Sequence, residues 1–184
     1  MKYKLERSAR KSISVQIKGG EIVVKAPMTI KKSDVELFLE KHRDWIEKNL
    51  KKAQEAKSEI EKSPPLTESD IEKLAEKALC VIPPRAQYYA NLLGVKYSKI
   101  TVRNQKTRWG SCSSKGNLSF NCLLMLAPIE VLDSVIVHEL CHLKEMNHSK
   151  RFYDEIIRVF PDYYKHHAWL KENGGVLVGR MLNR

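Results

Sequence analysis

Apolar side chains fall at every second position in Ile13, Val15 and Ile17, and again in Ile22 and Val24, on either side of Gly19-Gly20. Period-two alternation around a Gly-Gly pair predicts a β-hairpin. Tyr3 and Leu5 are expected to add a third strand, and Pro27 to end the block. The period then changes. Val35, Phe38, Leu39, His42, Trp45, Ile46 and Leu50 follow at steps of three and four, the pattern of an amphipathic helix. Ser33 stands where its N-cap belongs, with Glu36 at the capping-box distance. A polar tract, KKAQEAKSEIEK, extends it to Pro64-Pro65. Thr67, with Asp70 three residues on, opens the next helix, which Pro83-Pro84 is expected to interrupt. Gly94 closes the helical segment that follows.

Beyond Gly94, YSKITV predicts a strand, RNQKTRWGSCSSKG a loop, and the alternation of Leu118 and Phe120 a second short strand. From Pro128 the apolar positions Val131, Leu132, Val135, Ile136, Leu140 and Leu143 describe a helix buried over much of its circumference. Ser149 caps another helix, bearing Phe152, Ile156 and Val159 and ended by Pro161. A last short helix around Trp169 and Leu170 is expected to stop at Gly174-Gly175. The pattern is that of an α+β chain. Residues 1–62 hold a hairpin and an amphipathic helix, and residues 63–184 a second core, the two forming one compact unit.

Composition narrows the class. At 42% hydrophobic residues the chain can bury a core, and no apolar run is long enough to span a membrane. The basic N-terminus has no apolar segment behind it, so no signal peptide is read. Cys80, Cys112, Cys122 and Cys141 lack CxxC spacing and read as reduced thiols of a cytoplasmic protein. The net charge of +11 is unevenly spread. From Lys77 to Ile129 there is no Asp or Glu but eight Lys or Arg. Such a stretch is either a solvated basic face or a surface for an anionic partner, nucleic acid included.

The chemistry concentrates in HELCHLKEMNHSKRF, residues 138 to 152. On a helix His138 and His142 share one face and can ligate one metal ion. Glu139 points about 100° away, out of easy ligand range but able to reach a water at the metal and take its proton. H-E-x-x-H on a helix is thus the pattern of two zinc ligands and a general base. A catalytic zinc site keeps three protein ligands and one open position. His148 is the natural third, with Asp154 and Glu155 as alternatives. An unbroken helix would turn His148 about 240° away, so the helix must end before it. Asn147, tolerant of the left-handed conformation, is the residue expected to make that break. Of the other histidines, His42 reads as a boundary residue, and His166 and His167 as surface or packing residues.

Three blocks, TRWGSCSSKGNLSFNCLLMLAP, VIVHELCHLKEMNHSKRFYDEI and FPDYYKHHAWLKENG, resemble the YgjP-like metallopeptidase family, and the opening RSARKSISVQI…EIVVKAP is similar to that family's first strands. The resemblance implies a zincin-like fold, related to SprT-like and WLM-type proteases, with a small antiparallel or mixed sheet packed on helices that include the HExxH helix. It implies one Zn²⁺, replaceable by other divalent metals, held by His138, His142 and His148, with Glu139 as general base. It also implies an antiparallel edge strand along the cleft, for which GNLSFN is the candidate. Arg108, Trp109, Leu118, Phe120 and Asn121 are then the candidate substrate-binding residues. For Arg108 two roles stand side by side: an anchor for a substrate carboxylate or phosphate, and a structural tie holding its loop.

Metal-assisted hydrolysis is the reaction class these residues support. Peptide hydrolysis is the first reading. A nucleoside triphosphate pyrophosphatase with a basic anion-binding rim is the alternative. A nucleic-acid-associated protein with a zinc site is the third. No membrane partner is expected.

Overall fold

The computed structural model describes residues 1–182, which divide into two compact units, Met1–Pro64 and a second that begins at Pro65. The fold is α+β, as the pattern of the chain predicts.

In the first unit, strands β1 (Lys4–Ser8), β2 (Ser14–Lys18) and β3 (Glu21–Pro27) lie in the order β1-β3-β2. β2 and β3 form the hairpin, with Gly19 and Gly20 at φ of 57° and 82°. Two successive positive φ angles give the turn whose twist matches that of the strands. β1 joins β3 in parallel, Leu5 opposite Val24. Two helices follow, α1 (Lys32–Lys41) and α2 (Arg43–Lys62), separated at His42. One helix was expected here. The His42 ring lies 2.8 Å from the Phe38 carbonyl, and its backbone N–H reaches back to Leu39 and Glu40, closing α1 and opening α2. Nor does Ser33 cap α1, whose N-cap residue is Lys31 with no side-chain bond. Val35, Leu39 and Ile46 bury against Ile22, Val24 and Ala26.

The second unit opens with α3 (Glu68–Leu93), whose N-terminus carries the Thr67–Asp70 capping box and whose C-cap is Gly94 at φ 69°. Pro83 and Pro84 lie inside this helix rather than breaking it. The carbonyls they leave unbonded belong to Leu79 and Cys80, both exposed, so water can take those bonds. Ala78, Ile82, Ala86 and Tyr89 bury on the other side and hold the helix through the prolines.

The second sheet contains β4 (Lys99–Arg103), β5 (Gly110–Cys112) and β6 (Asn117–Asn121), in the order β4-β6-β5. β4 pairs with β6 in parallel and β5 with β6 antiparallel. β5 therefore lies within the segment read as a loop. GNLSFN is the central strand, not the edge; the edges are β4 and β5, and β5 is the one that packs against α4. A short 3₁₀ turn (Cys122–Leu126) leads to α4 (Ile129–Cys141), then α5 (Lys150–Val159) and α6 (Tyr163–Leu182). α6 runs through Gly174-Gly175, where it was expected to stop. Gly174 faces the Trp109 ring, 2.8 Å from the place a Cβ would take, so helix and indole meet closely there.

α4 is buried nearly all round, and its polar residues are partnered accordingly. Asp133 is held by the Arg85 guanidinium in a two-pronged pair and by the Tyr89 hydroxyl at 3.1 Å. Ser134 donates to the Val131 carbonyl at 2.7 Å. Leaving either unpaired would carry a desolvation penalty of about 1–3 kcal/mol or more. The core around α4 takes Leu118 and Phe120 from the sheet, Phe152 and Ile156 from α5, and Tyr163 and Leu170 from α6.

Candidate metal centre

α4 ends at Cys141, with His142 as its C-cap. The N–H groups of Leu143, Lys144 and Glu145 bond back to Leu140 and Cys141, so the chain turns at once. Asn147 plays no left-handed part in this turn, since no non-glycine residue among those described has positive φ. Ser149 then caps α5, its hydroxyl accepting from the Phe152 N–H at 3.3 Å. This reversal brings His148 back over the helix end. Among the described residues His138, His142 and His148 form a cluster whose ligand atoms all lie within 4.8 Å of one another. Asp154 and Glu155, the alternative third ligands, are engaged elsewhere: Asp154 with Lys150, and Glu155 with Lys144 and Arg158.

The second nitrogens of these rings are also fixed. His138 Nδ1 lies 2.8 Å from the Tyr163 hydroxyl, and His142 Nδ1 3.2 Å from the Glu145 carbonyl. A carbonyl only accepts, so His142 carries its proton on Nδ1 and leaves Nε2 bare. The His138 and His148 Nε2 atoms approach to 3.1 Å. Two ligands at ~2.0–2.1 Å from a tetrahedral Zn²⁺ stand about 3.3 Å apart, so a divalent ion fits this donor set. The Phe152 ring sits under all three imidazoles, with centroids 4.9, 4.6 and 4.8 Å away.

Burial sets the protonation. It pushes His138 down to about 3, helped by the neighbouring histidines, and lowers His142 in the same sense. Both rings are therefore neutral at physiological pH, as metal ligation requires. Burial raises Glu139 to about 7, with the nearby Arg108 charge opposing.

Glu139 owes its position to Gly110 of β5. A Cβ at 110 would stand 2.6 Å from both Cγ and Oε1 of Glu139. Only glycine lets the edge strand come this close to α4. Beside the carboxylate opens a recess of about 160 Å³, walled by Trp109, Val135 and Leu170 and bordered by Ser134, Tyr163 and His167.

The five candidate substrate-binding residues divide. Arg108 is exposed and its charge acts on Glu139, while its backbone carbonyl, not its side chain, ties the loop down. Trp109 walls the recess. Leu118 and Phe120 are fully buried in the core and offer a substrate no surface. Asn121 is buried too. Its amide donates to the carbonyls of Gln105 and Arg108, and its oxygen accepts from the Leu123 N–H, so it pins the loop from beneath. Four contributors escaped the sequence reading: Gly110, Phe152, Tyr163 and His167. The i, i+4 spacing of Tyr163 and His167 was the available sign, and the Tyr163 hydroxyl lies 3.4 Å from His167 Nδ1.

The model of the YgjP-like family, metallopeptidase domain, matches residues 11–71 and 67–173. Among solved structures, the chain is similar to the metallopeptidase zymogen abylysin of Pyrococcus abyssi, at 21% identity over 50% of this chain and 93% of that one, with a TM-score of 0.45. It is similar likewise to the metallopeptidase zymogen jannalysin of Methanocaldococcus jannaschii, at 22% identity over 50% of this chain and 95% of that one, again with a TM-score of 0.45. No curated protein matches the chain. No helix among the described residues is long and apolar enough to cross a membrane. Because the family match takes in the three histidines, the glutamate between them and the strand against which it rests, the chain belongs to the YgjP-like metallopeptidase family.

Proposed function

We propose that the chain is a zinc-dependent peptidase in which Glu139 is the general base. The observation that carries this reading is the Glu139 carboxylate, wedged against an edge strand, next to three convergent imidazoles and an apolar recess. A structural metal site needs no carboxylate there. His138, His142 and His148 are the residues that would hold the ion. A bound divalent ion supplies a Lewis acid for the scissile carbonyl and makes water easier to deprotonate. Glu139 takes the proton from the attacking water and returns it to the leaving amine. A base near the working pH suits both transfers. Trp109, Val135 and Leu170 receive one apolar side chain of the substrate. The outer edge of β5 pairs with no further strand among the described residues, and an extended peptide pairs there through backbone hydrogen bonds. Arg108, exposed at the rim, anchors a substrate carboxylate.

The apolar recess favours a peptide over a nucleotide, whose phosphates would gain nothing from it. The zinc-loaded protein is to be incubated with casein-derived peptides and, separately, with nucleoside triphosphates. Peptide cleavage that disappears in Glu139→Gln is expected. Release of pyrophosphate without peptide cleavage would replace this reading with the nucleotide one.

A further inference from the structure

The second sheet has two unlike faces. Ile100, Val102, Cys112, Leu118 and Phe120 turn inward and pack on the core. The other face carries Lys99, Thr101 and Arg103 from β4, Ser111 from β5, and Asn117 and Ser119 from β6. The register places Thr101 and Ser111 on either side of Ser119, so three hydroxyls form one row across the strands. Lys99 flanks the row opposite Asn117, and Arg103 flanks it on the other side, opposite Asn121. Gln105 and Arg108 close the end of a concavity of about 470 Å³ over this face. At its centre the Ser119 hydroxyl is buried and has no hydrogen-bond partner among the described residues.

Little opposes the charge here, Arg108 alone lying near enough to a carboxylate, Glu139, to act on it. Lys96, Lys99, Arg103, Lys106, Arg108 and Lys115 are all exposed, and none is paired with a carboxylate among the described residues. The lysines of α2 behave differently: Lys51 faces Glu55, Lys57 faces Glu61 and Lys62 faces Glu59. Cations gathered without partners repel one another, and a polyanion that neutralises them gains by releasing its own counterions.

We propose that this outer face binds the phosphate backbone of a nucleic-acid duplex. Lys99 and Arg103 stand four residues apart on one strand, about 13 Å, too far for a single phosphate but suited to a chain of them. On the same face the Ser111 hydroxyl and the Asn117 amide are donors that phosphate oxygens accept from, while the Thr101 hydroxyl is already given to the Leu118 carbonyl. Among the described residues no aromatic side chain lines the face, so it offers unpaired bases no stacking platform, and a duplex is favoured over a single strand. An acidic peptide would find no backbone partners on the face of a sheet, only at its edge. The face is distinct from the histidine cluster, and binding there does not depend on peptidase activity.

The test is fluorescence anisotropy of a short labelled DNA duplex of mixed sequence with the full metal-loaded chain, over a salt series. Two phosphates neutralised by Lys99 and Arg103 predict a slope of log K on log salt of about −1.8, and steeper if the rim lysines join. Lys99→Glu/Arg103→Glu is expected to weaken binding about tenfold or more and to flatten the slope by about two. Lys99→Gln/Arg103→Gln, milder for the fold, should show the same direction, and Arg103→Lys should retain most of the affinity. A charge-matched control on α2, Lys48→Glu/Lys51→Glu, should leave binding unchanged. The proposal is overturned if the control loses as much as the face variant, since net charge alone is then responsible. It is equally overturned by a flat salt dependence, by polyglutamate competing as well as duplex at equal charge, or by a single strand binding more tightly.

Discussion

Both sheets place their last strand in the middle, parallel to the first strand and antiparallel to the second. In the N-terminal sheet the hairpin strands have five and seven residues and their glycines lie in the turn, with open space around them. In the second sheet the edge strand β5 has three residues, and its glycine lies in the strand itself, pressed against Glu139. One plan thus serves two ends. In the first unit glycine gives the backbone a conformation, and in the second it gives a catalytic candidate its room. The sheet that pairs less is the one that positions chemistry.

Substitution at these glycines separates the two roles. Gly110→Ala should move the Glu139 carboxylate and lower turnover about 100-fold or more, the usual consequence of displacing a reacting group by an ångström. Peptide hydrolysis at saturating metal measures it. Tyr163→Phe keeps the ring in the core but removes the hydroxyl beside His138 Nδ1. Metal affinity is expected to fall about 10–100-fold, read by competition with a chelator.

The next effect is a pH dependence in the metal-free protein. His138, held at about 3 instead of 6.5, binds fewer protons folded than unfolded, so its contribution to stability is lost as pH falls from 6.5 toward 3. Glu139, held at about 7 instead of 4.5, does the reverse: it favours the folded state at low pH and penalises it as pH rises through 7. Glu139→Gln removes only the second. The metal-free variant should therefore melt higher than wild type at pH 8, with the gap closing toward pH 5. The smallest effect belongs to the first unit. Gly19→Ala at positive φ should cost about 1–2 kcal/mol of that unit's stability and leave turnover unchanged. Thermal melting and the peptide assay together check it.

The same contrast explains what was legible in the chain. Gly19-Gly20, the Thr67–Asp70 box and Gly94 act locally, and their roles could be read from neighbours in sequence. The H-E-x-x-H pair is legible for the same reason, since helix geometry alone aligns His138 and His142. His148 needed one further inference, that the helix ends in time. Distant packing hid the rest. Pro83-Pro84 pass through α3 because Ala78, Ile82 and Ala86 are pinned beneath them and the freed carbonyls belong to exposed residues. β5 is too short to alternate visibly and owes its pairing to β6. GNLSFN alternates well because its Leu118 and Phe120 are core residues, and the same alternation that marked it as a strand also removed it from the cleft edge. Tyr163 lies 25 residues from His138, and no local rule joins them.

The central claim is that three histidines hold one ion while Glu139 does not. Elemental analysis of the purified chain and its variants tests this most directly. One divalent ion per wild-type chain is predicted, retained in Glu139→Gln and lost in His138→Ala, His142→Ala and His148→Ala. Metal that survives the histidine substitutions, or leaves with Glu139→Gln alone, would contradict the account.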